Sequence, residues 1–214
     1  MKLNEDTILQ ALDSIYDNVI LGLPGSDTVY DLAQKYLQTH HHEKFAAEAL
    51  IRWQTAKCAG FGFVSGLGGI ISFPLTIPAD LAANYYIQMR MVAAIALING
   101  YDIKSDQVKS FVYCCLLGQE IDQALRKAGL KMGRQWTKKA IMSMSREFVT
   151  KVNTVVRARL VSRVGKSGIA HLSKAVPLAG GFFGAGVNGY ICYEIGKSAQ
   201  QLFPKAEDDY SMAA

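Results

Sequence analysis

Charge is scarce in this chain: Asp, Glu, Lys and Arg supply 19% of its 214 residues, against about a quarter in a typical soluble domain. Half the residues are hydrophobic, which argues against a disordered chain, because disorder needs low hydrophobicity and high net charge. There are only five prolines, and no stretch of useful length alternates apolar with polar residues, so a sheet protein is not expected. The four cysteines, Cys58, Cys114, Cys115 and Cys192, lie in apolar sequence without C-x-x-C spacing. That argues against a structural metal site and reads them as small core hydrophobes in a reducing compartment. The first residues, MKLNEDTILQALDSIYDNV, lack the basic region, apolar block and small-residue cleavage site of a secretory signal, so a cytosolic protein is expected.

What is present is apolar and glycine-rich. Two runs, Cys58–Ala79 and Ala175–Tyr193, carry no charge and hold ten of the nineteen glycines. Runs of about 20 uncharged residues are long enough to cross a hydrocarbon layer as helices. The pairs Gly62-x-x-x-Gly66 and Gly180-x-x-x-Gly184, with Gly69, have the spacing that lets helices approach closely. The same spacing occurs in tightly packed soluble helices. Composition alone therefore leaves insertion and a buried core both open.

Helical periodicity dominates the remainder. Ile8, Leu12, Ile15 and Val19 follow Asp6, and Gly22-Leu23-Pro24-Gly25 closes that segment. A second helix follows Ser26, the run His40–His42 marks a break, and a third helix spans about 43–57. Pro78 and Asp80 open an apolar helix whose only other charge is Arg90, closed by Gly100. Ser105 caps a helix expected to run to Lys127. Residues 130–164 read as a long basic helix, broken near Gly133 or Ser143, and Gly165 and Gly168 separate it from a final apolar segment. The expected fold is all-α, a helical bundle with the two glycine-rich segments packed centrally. The divisions read from composition are acidic helices over 1–45, a helical domain over 46–203 and a polar tail over 204–214.

Candidates for chemistry are few. Asp80 reads as a helix cap or as a buried carboxylate, and a direct pair with Arg90 is disfavoured because ten residues of helix separate them by about 15 Å. Asp102, after Gly100-Tyr101, reads as a turn residue. Asn188 in the last apolar run reads as an amide bridging between helices or as a functional group. Gly184–Gly189 matches G-x-G-x-x-G in letters, but no strand precedes it, so a dinucleotide site is not expected. His40–His42 lack the partners for a metal site, and His171 stands alone. No nucleophile, base and orienting group assemble, so neither a catalytic residue nor a cofactor is expected.

The segment Gly66–Asp102 resembles the EcsC family in its Gly66/Gly68/Gly69 stretch, its Pro78/Asp80 helix start and its closing Gly100-Tyr101-Asp102. It departs at Leu81, where a second proline commonly follows the aspartate. Lys174–Ala199 is similar to the family's second signature through Pro177, Gly180–Gly186, Asn188, Ile195, Gly196 and Ala199. With the linker, the resemblance covers Ala46 to Phe203. It implies a membrane-proximal bacterial helical protein and supplies no reaction, since the family is named for a protein encoded beside an ABC transporter.

Charge is unevenly placed. Residues 1–50 hold eight acids and three bases, while 125–166 hold twelve bases and one acid, Glu147. Arg126, Lys127, Lys131, Arg134, Lys138 and Lys139 interleave with apolar residues and Trp136, a pattern suited to an anionic membrane surface. The basic stretch could instead face the acidic front of the chain. A nucleic-acid partner is not expected, because no nucleic-acid fold signature accompanies these bases. The function expected is a non-catalytic accessory of a membrane transporter or envelope process, peripheral to or partly inserted in the inner membrane. The alternatives are a soluble helical module for an apolar ligand, and a hydrolase using Asp80 or Asp102.

Overall fold

The computed structural model describes residues 5–60, 79–129, 137–172 and 179–205, with the backbone alone for 79–80, 165–172 and 179–185. Among the described residues there is no strand, and the all-α expectation holds. The helices are α1 (Glu5–Leu21), α2 (Val29–His40), α3 (Glu43–Ala59), α4 (Ala79–Ile98), α5 (Asp106–Cys115), α6 (Ile121–Lys127), α7 (Lys138–Met142), α8 (Arg146–Leu172) and α9 (Ala179–Leu202).

The helix ends follow from local chemistry. α2 is capped by Thr28 rather than Ser26: the Thr28 hydroxyl accepts the Asp31 N–H while the Asp31 carboxylate takes the Thr28 N–H. The histidine run is a double cap. His41 closes α2 in the left-handed region (φ 53°), and His42 Nδ1 accepts the Lys44 N–H at the start of α3. Gly100, at φ 78°, closes α4 as expected.

Two boundaries depart from the sequence reading. The helix from Ser105 stops at Cys115, and a 3-10 turn over Gly118–Glu120 separates it from α6. Gly118 adopts φ 56°, and at the break the Arg163 guanidinium donates to the carbonyls of Leu116 (2.7 Å) and Leu117 (3.1 Å), the latter also accepting the Glu120 N–H (3.2 Å). The basic stretch breaks at Ser143, as one of the two expected positions had it, but α8 then runs through Gly165 and Gly168 to Leu172. A helix already propagating absorbs the glycine penalty of about 1 kcal/mol each.

The centre of the bundle is α4. Every residue from Met91 to Ala96 is buried, and α1, α2, α3, α5 and α9 all pack on it. A helix apolar on all sides needs such a surround. Leu81–Ile98 is long and apolar enough to cross a membrane, but 72% of it is buried within the bundle. The acidic front helices join the same core: Ile8, Leu12 and Ile15 of α1 and Val29 and Leu32 of α2 cluster with the side chains of α4. Of the two glycine-rich runs expected at the centre, the second falls largely on α9, which packs on α3 and α4. Residues 61–78 of the first lie outside the described residues.

Three helices share one polarity axis. The start of α3 and the ends of α4 and α9 meet, through the Lys205–Glu43 ion pair (3.0 Å), Asn99 Nδ2 on the Phe203 carbonyl (2.6 Å) and the Tyr101 hydroxyl on the Pro204 carbonyl (2.9 Å). The end of α3 and the starts of α4 and α9 therefore lie toward the opposite pole. α3 and α9 run antiparallel, with Ile51 against Gly196 and Ala59 against Gly189.

Candidate functional site

The opposite pole is where the two uncharged runs attach. The first leaves the end of α3 at Cys58 and returns at the start of α4, and the second includes the first half of α9. Because α3 ends opposite Gly189, the earlier residues of α9 extend ten positions farther, about 15 Å of helix. The outward side of α9 near that level is apolar and aromatic: Val187 and Tyr190 are each 56% exposed, and Ile191 and Tyr193 are exposed beside them.

Just behind this region sits a band of aromatic and cationic pairs. Trp53 of α3 is 56% exposed, and the Lys57 ammonium lies 5.7 Å from its ring centroid. On α9 the Lys197 ammonium lies 5.9 Å from the Tyr193 ring. The antiparallel register puts Trp53 and Lys57 level with residues 190–195, so both pairs fall within a few helical turns of the same height. Trp and Tyr with flanking Lys are the side chains that bridge an apolar and an aqueous phase.

Among the glycines whose surroundings are described, Gly189 and Gly196 permit the α3–α9 contact. Gly62, Gly66 and Gly69 lie outside the described residues, and Gly180 and Gly184 lie on α9 where the backbone alone is described. A Cβ on Gly196 would stand 2.7 Å from Ile51 Cγ1 and 2.9 Å from its Cγ2, and one on Gly189 would stand 3.1 Å from the Ala59 Cβ. A signal for them exists: Gly189, Cys192, Gly196 and Ala199 form a small-residue stripe at helical spacing, and all four are buried.

The other candidates separate. Asp80 lies in the first turn of α4, with its side chain outside the described residues. Arg90 donates to the Asp27 carbonyl, not to an acid on its own helix. Asp102 is a turn residue, its Oδ1 accepting the Lys104 N–H (2.9 Å) and its carbonyl the Ser105 hydroxyl (2.9 Å). Asn188 is exposed and is not a buried bridge: it lies about 100° around α9 from Gly189, the residue that faces α3. The four cysteines are free and buried, as expected of core residues.

The basic stretch divides in two. Arg126, Lys127 and Lys139 are exposed, Lys138 is tied to the Gly100 carbonyl, and Lys131 and Arg134 lie outside the described residues. Farther along, the arginines turn inward. Arg159 and Arg163 pair with Glu120 at 3.5 and 2.7 Å. Arg157 places one nitrogen 2.9 Å from both carboxylate oxygens of Asp13, which also pairs with Lys109 (3.0 Å) and accepts the Tyr113 hydroxyl (2.7 Å). Of these three arginines Arg157 meets the acidic front, at Asp13, as the alternative reading of the basic stretch had it, while Arg159 and Arg163 meet Glu120 outside it. Burial pushes the Asp13 pKa up, but the Tyr113 hydrogen bond and the Lys109 and Arg157 charges outweigh it and hold it below the ordinary carboxylate value.

Among the described residues no group of three or more His, Cys, Asp or Glu could hold a metal. No curated protein and no solved structure matches the chain. A family model matches it over residues 4–205, taking in both front helices as well as the two glycine signatures: the chain belongs to the EcsC protein family.

Proposed function

We propose that this protein is a non-catalytic, membrane-attached member of its family that meets the cytoplasmic face of the inner membrane with its apolar pole. There it serves as an accessory to a transporter or another envelope process. One observation carries the reading: the helix ends bordering the two uncharged runs point to one pole, behind a band holding Trp53, Lys57, Tyr190, Tyr193 and Lys197. A bilayer offers the two phases such a band matches. Exposed Arg126, Lys127 and Lys139 add attraction to anionic lipid. That part is smaller than the sequence suggests, because Arg157, Arg159 and Arg163 already have partners within the protein.

Flotation of the whole chain with phosphatidylcholine vesicles, with and without phosphatidylglycerol, tests this. Binding is expected to both, tighter to the anionic vesicles, with only that increment lost as salt is added. The pair Trp53→Ala, Tyr193→Ala is expected to weaken partition into neutral vesicles about thirtyfold or more, since each large ring leaving an apolar phase forfeits at least about 1 kcal/mol. Flotation with neither vesicle would overturn the proposal in favour of a soluble module whose apolar pole encloses a ligand.

A further inference from the structure

Two of the four thiols meet across the α3–α9 contact. Ala59 faces Gly189 and Ile51 faces Gly196, which fixes the register of the antiparallel pair. Cys192 lies between the two glycines, about 40° around α9 from Gly196 and about 60° from Gly189. Cys58 precedes Ala59 in the chain and lies about 20° around α3 from Ile51, on the side that faces α9. The register puts Cys192 nearly level with Thr55, less than one turn from Cys58. Side chains lean toward the start of their own helix, which in an antiparallel pair turns these two toward each other. The Cys58 and Cys192 thiols accordingly share a hydrogen bond.

The spacing suits a covalent bond between them. A disulfide needs β-carbons about 3.5–4.5 Å apart. Glycine brings the backbones that close here: a Cβ on Gly189 would stand 3.1 Å from the Cβ of Ala59, the neighbour of Cys58. Cys114 and Cys115 are the opposite case. They are adjacent within α5, so their side chains leave the helix about 100° apart, and both are 0% exposed. Cys58 lies in the last turn of α3, where a helix opens most readily, and is 6% exposed. The shared hydrogen bond, then burial, push its thiol up, so it stays protonated and unreactive while that turn is closed.

We propose that Cys58 and Cys192 are a redox-sensitive lock which, oxidised by hydrogen peroxide, joins α3 to α9 at the root of both uncharged runs. Opening of the last turn of α3 exposes the Cys58 sulfur and lets it lose its proton. The thiolate attacks one peroxide oxygen, the O–O bond breaks, and hydroxide leaves to take up that proton as water. Cys58 is then a sulfenic acid, and the Cys192 sulfur attacks it. The S–O bond breaks, and the leaving hydroxyl takes the Cys192 proton as a second water. Two thiols and one peroxide thus become one disulfide and two waters, with two electrons passing from sulfur to oxygen. The lock does not depend on the pole entering a bilayer.

The test treats the full, reduced chain with hydrogen peroxide under native conditions, quenches with catalase, and blocks the remaining thiols with N-ethylmaleimide in denaturant. Mass spectrometry of the digested protein is expected to show Cys58 joined to Cys192, with Cys114 and Cys115 blocked and therefore still reduced. The pair should be consumed at least about tenfold faster than Cys114 or Cys115, because a helix end opens far more often than the core. The locked protein should melt about 5–15 °C above the reduced one, since a long loop is closed, and dithiothreitol should reverse the shift. Cys192→Ser should form no intramolecular link and should leave Cys58 as a sulfenic acid that dimedone traps. Four thiols still free after excess peroxide, a link through Cys114 or Cys115, or a locked protein that melts no higher overturns the lock.

Discussion

Gly196→Ala is expected to destabilise the protein by about 1–3 kcal/mol, while Gly186→Ala, on the same helix, is expected to stabilise it by about 0.5–1 kcal/mol. Both glycines sit within α9, so alanine gains the same helix propensity at each. The difference is what the new methyl group meets. At Gly186 nothing lies within 4 Å, whereas at Gly196 two atoms of Ile51 lie within 3.0 Å. Those atoms, Cγ1 and Cγ2, both hang on the β-carbon of a branched side chain that is stiff at χ1 and 2% exposed, so they cannot swing away cheaply. Ile51→Val would keep both atoms and bring no relief. Ile51→Ala removes them, and in a double-mutant cycle its own cavity cost should be partly offset by the Gly196 methyl group, a favourable coupling of about 1 kcal/mol. Urea unfolding of the four proteins of the cycle and of Gly186→Ala checks this. Equal signs for the two glycine variants would mean that the α3–α9 contact is looser than described. Gly196→Leu goes further: its side chain has no room at the contact, and the expected outcome is an unfolded or rearranged chain.

The contrast shows what a sequence can and cannot reveal here. Gly22 and Gly100 were legible as helix ends because each follows an apolar helical pattern, and each indeed takes a positive φ. Gly118 was not, since Phe111–Leu117 before it and Ile121–Leu125 after it read as one continuous helix. At the split the Arg163 guanidinium reaches the Leu117 carbonyl from 46 residues away, a partner no local pattern could show. Within the glycine-rich runs every glycine looks alike. Only the position of α3 decides that Gly189 and Gly196 face a neighbour and that Asn188 does not. Arg90 stood out as a lone charge in an apolar helix, but its partner is a backbone carbonyl, a group present at every position and so invisible to composition.

Asp13 was equally unmarked, one of eight acids in the first fifty residues, yet its replacement should have one of the largest effects of any surface-reaching side chain. It joins α1 to α5 through Lys109 and Tyr113, and to α8 through Arg157. Asp13→Asn keeps the shape and one acceptor for the Tyr113 hydroxyl but leaves two cations facing each other without an anion. The expected loss at pH 7 is about 1–2 kcal/mol, held to the low end because the carboxylate is about a third exposed and water screens the pair. The pH dependence fixes the mechanism. A carboxylate whose folded pKa is depressed below 3.8 contributes its full stability above that unfolded value and loses it as pH falls through the lower folded one. The gap between parent and Asp13→Asn should therefore be constant from pH 5 to 7, begin to close below about pH 4, and be lost once pH falls below the lower folded pKa and the parent's own carboxylate is protonated. Urea titrations at several pH values measure it, and hydrogen exchange should show α8 opening faster in the variant at neutral pH. A gap that persists undiminished in acid would assign the loss to packing around the substituted amide rather than to the charge that binds α8 to the front of the molecule.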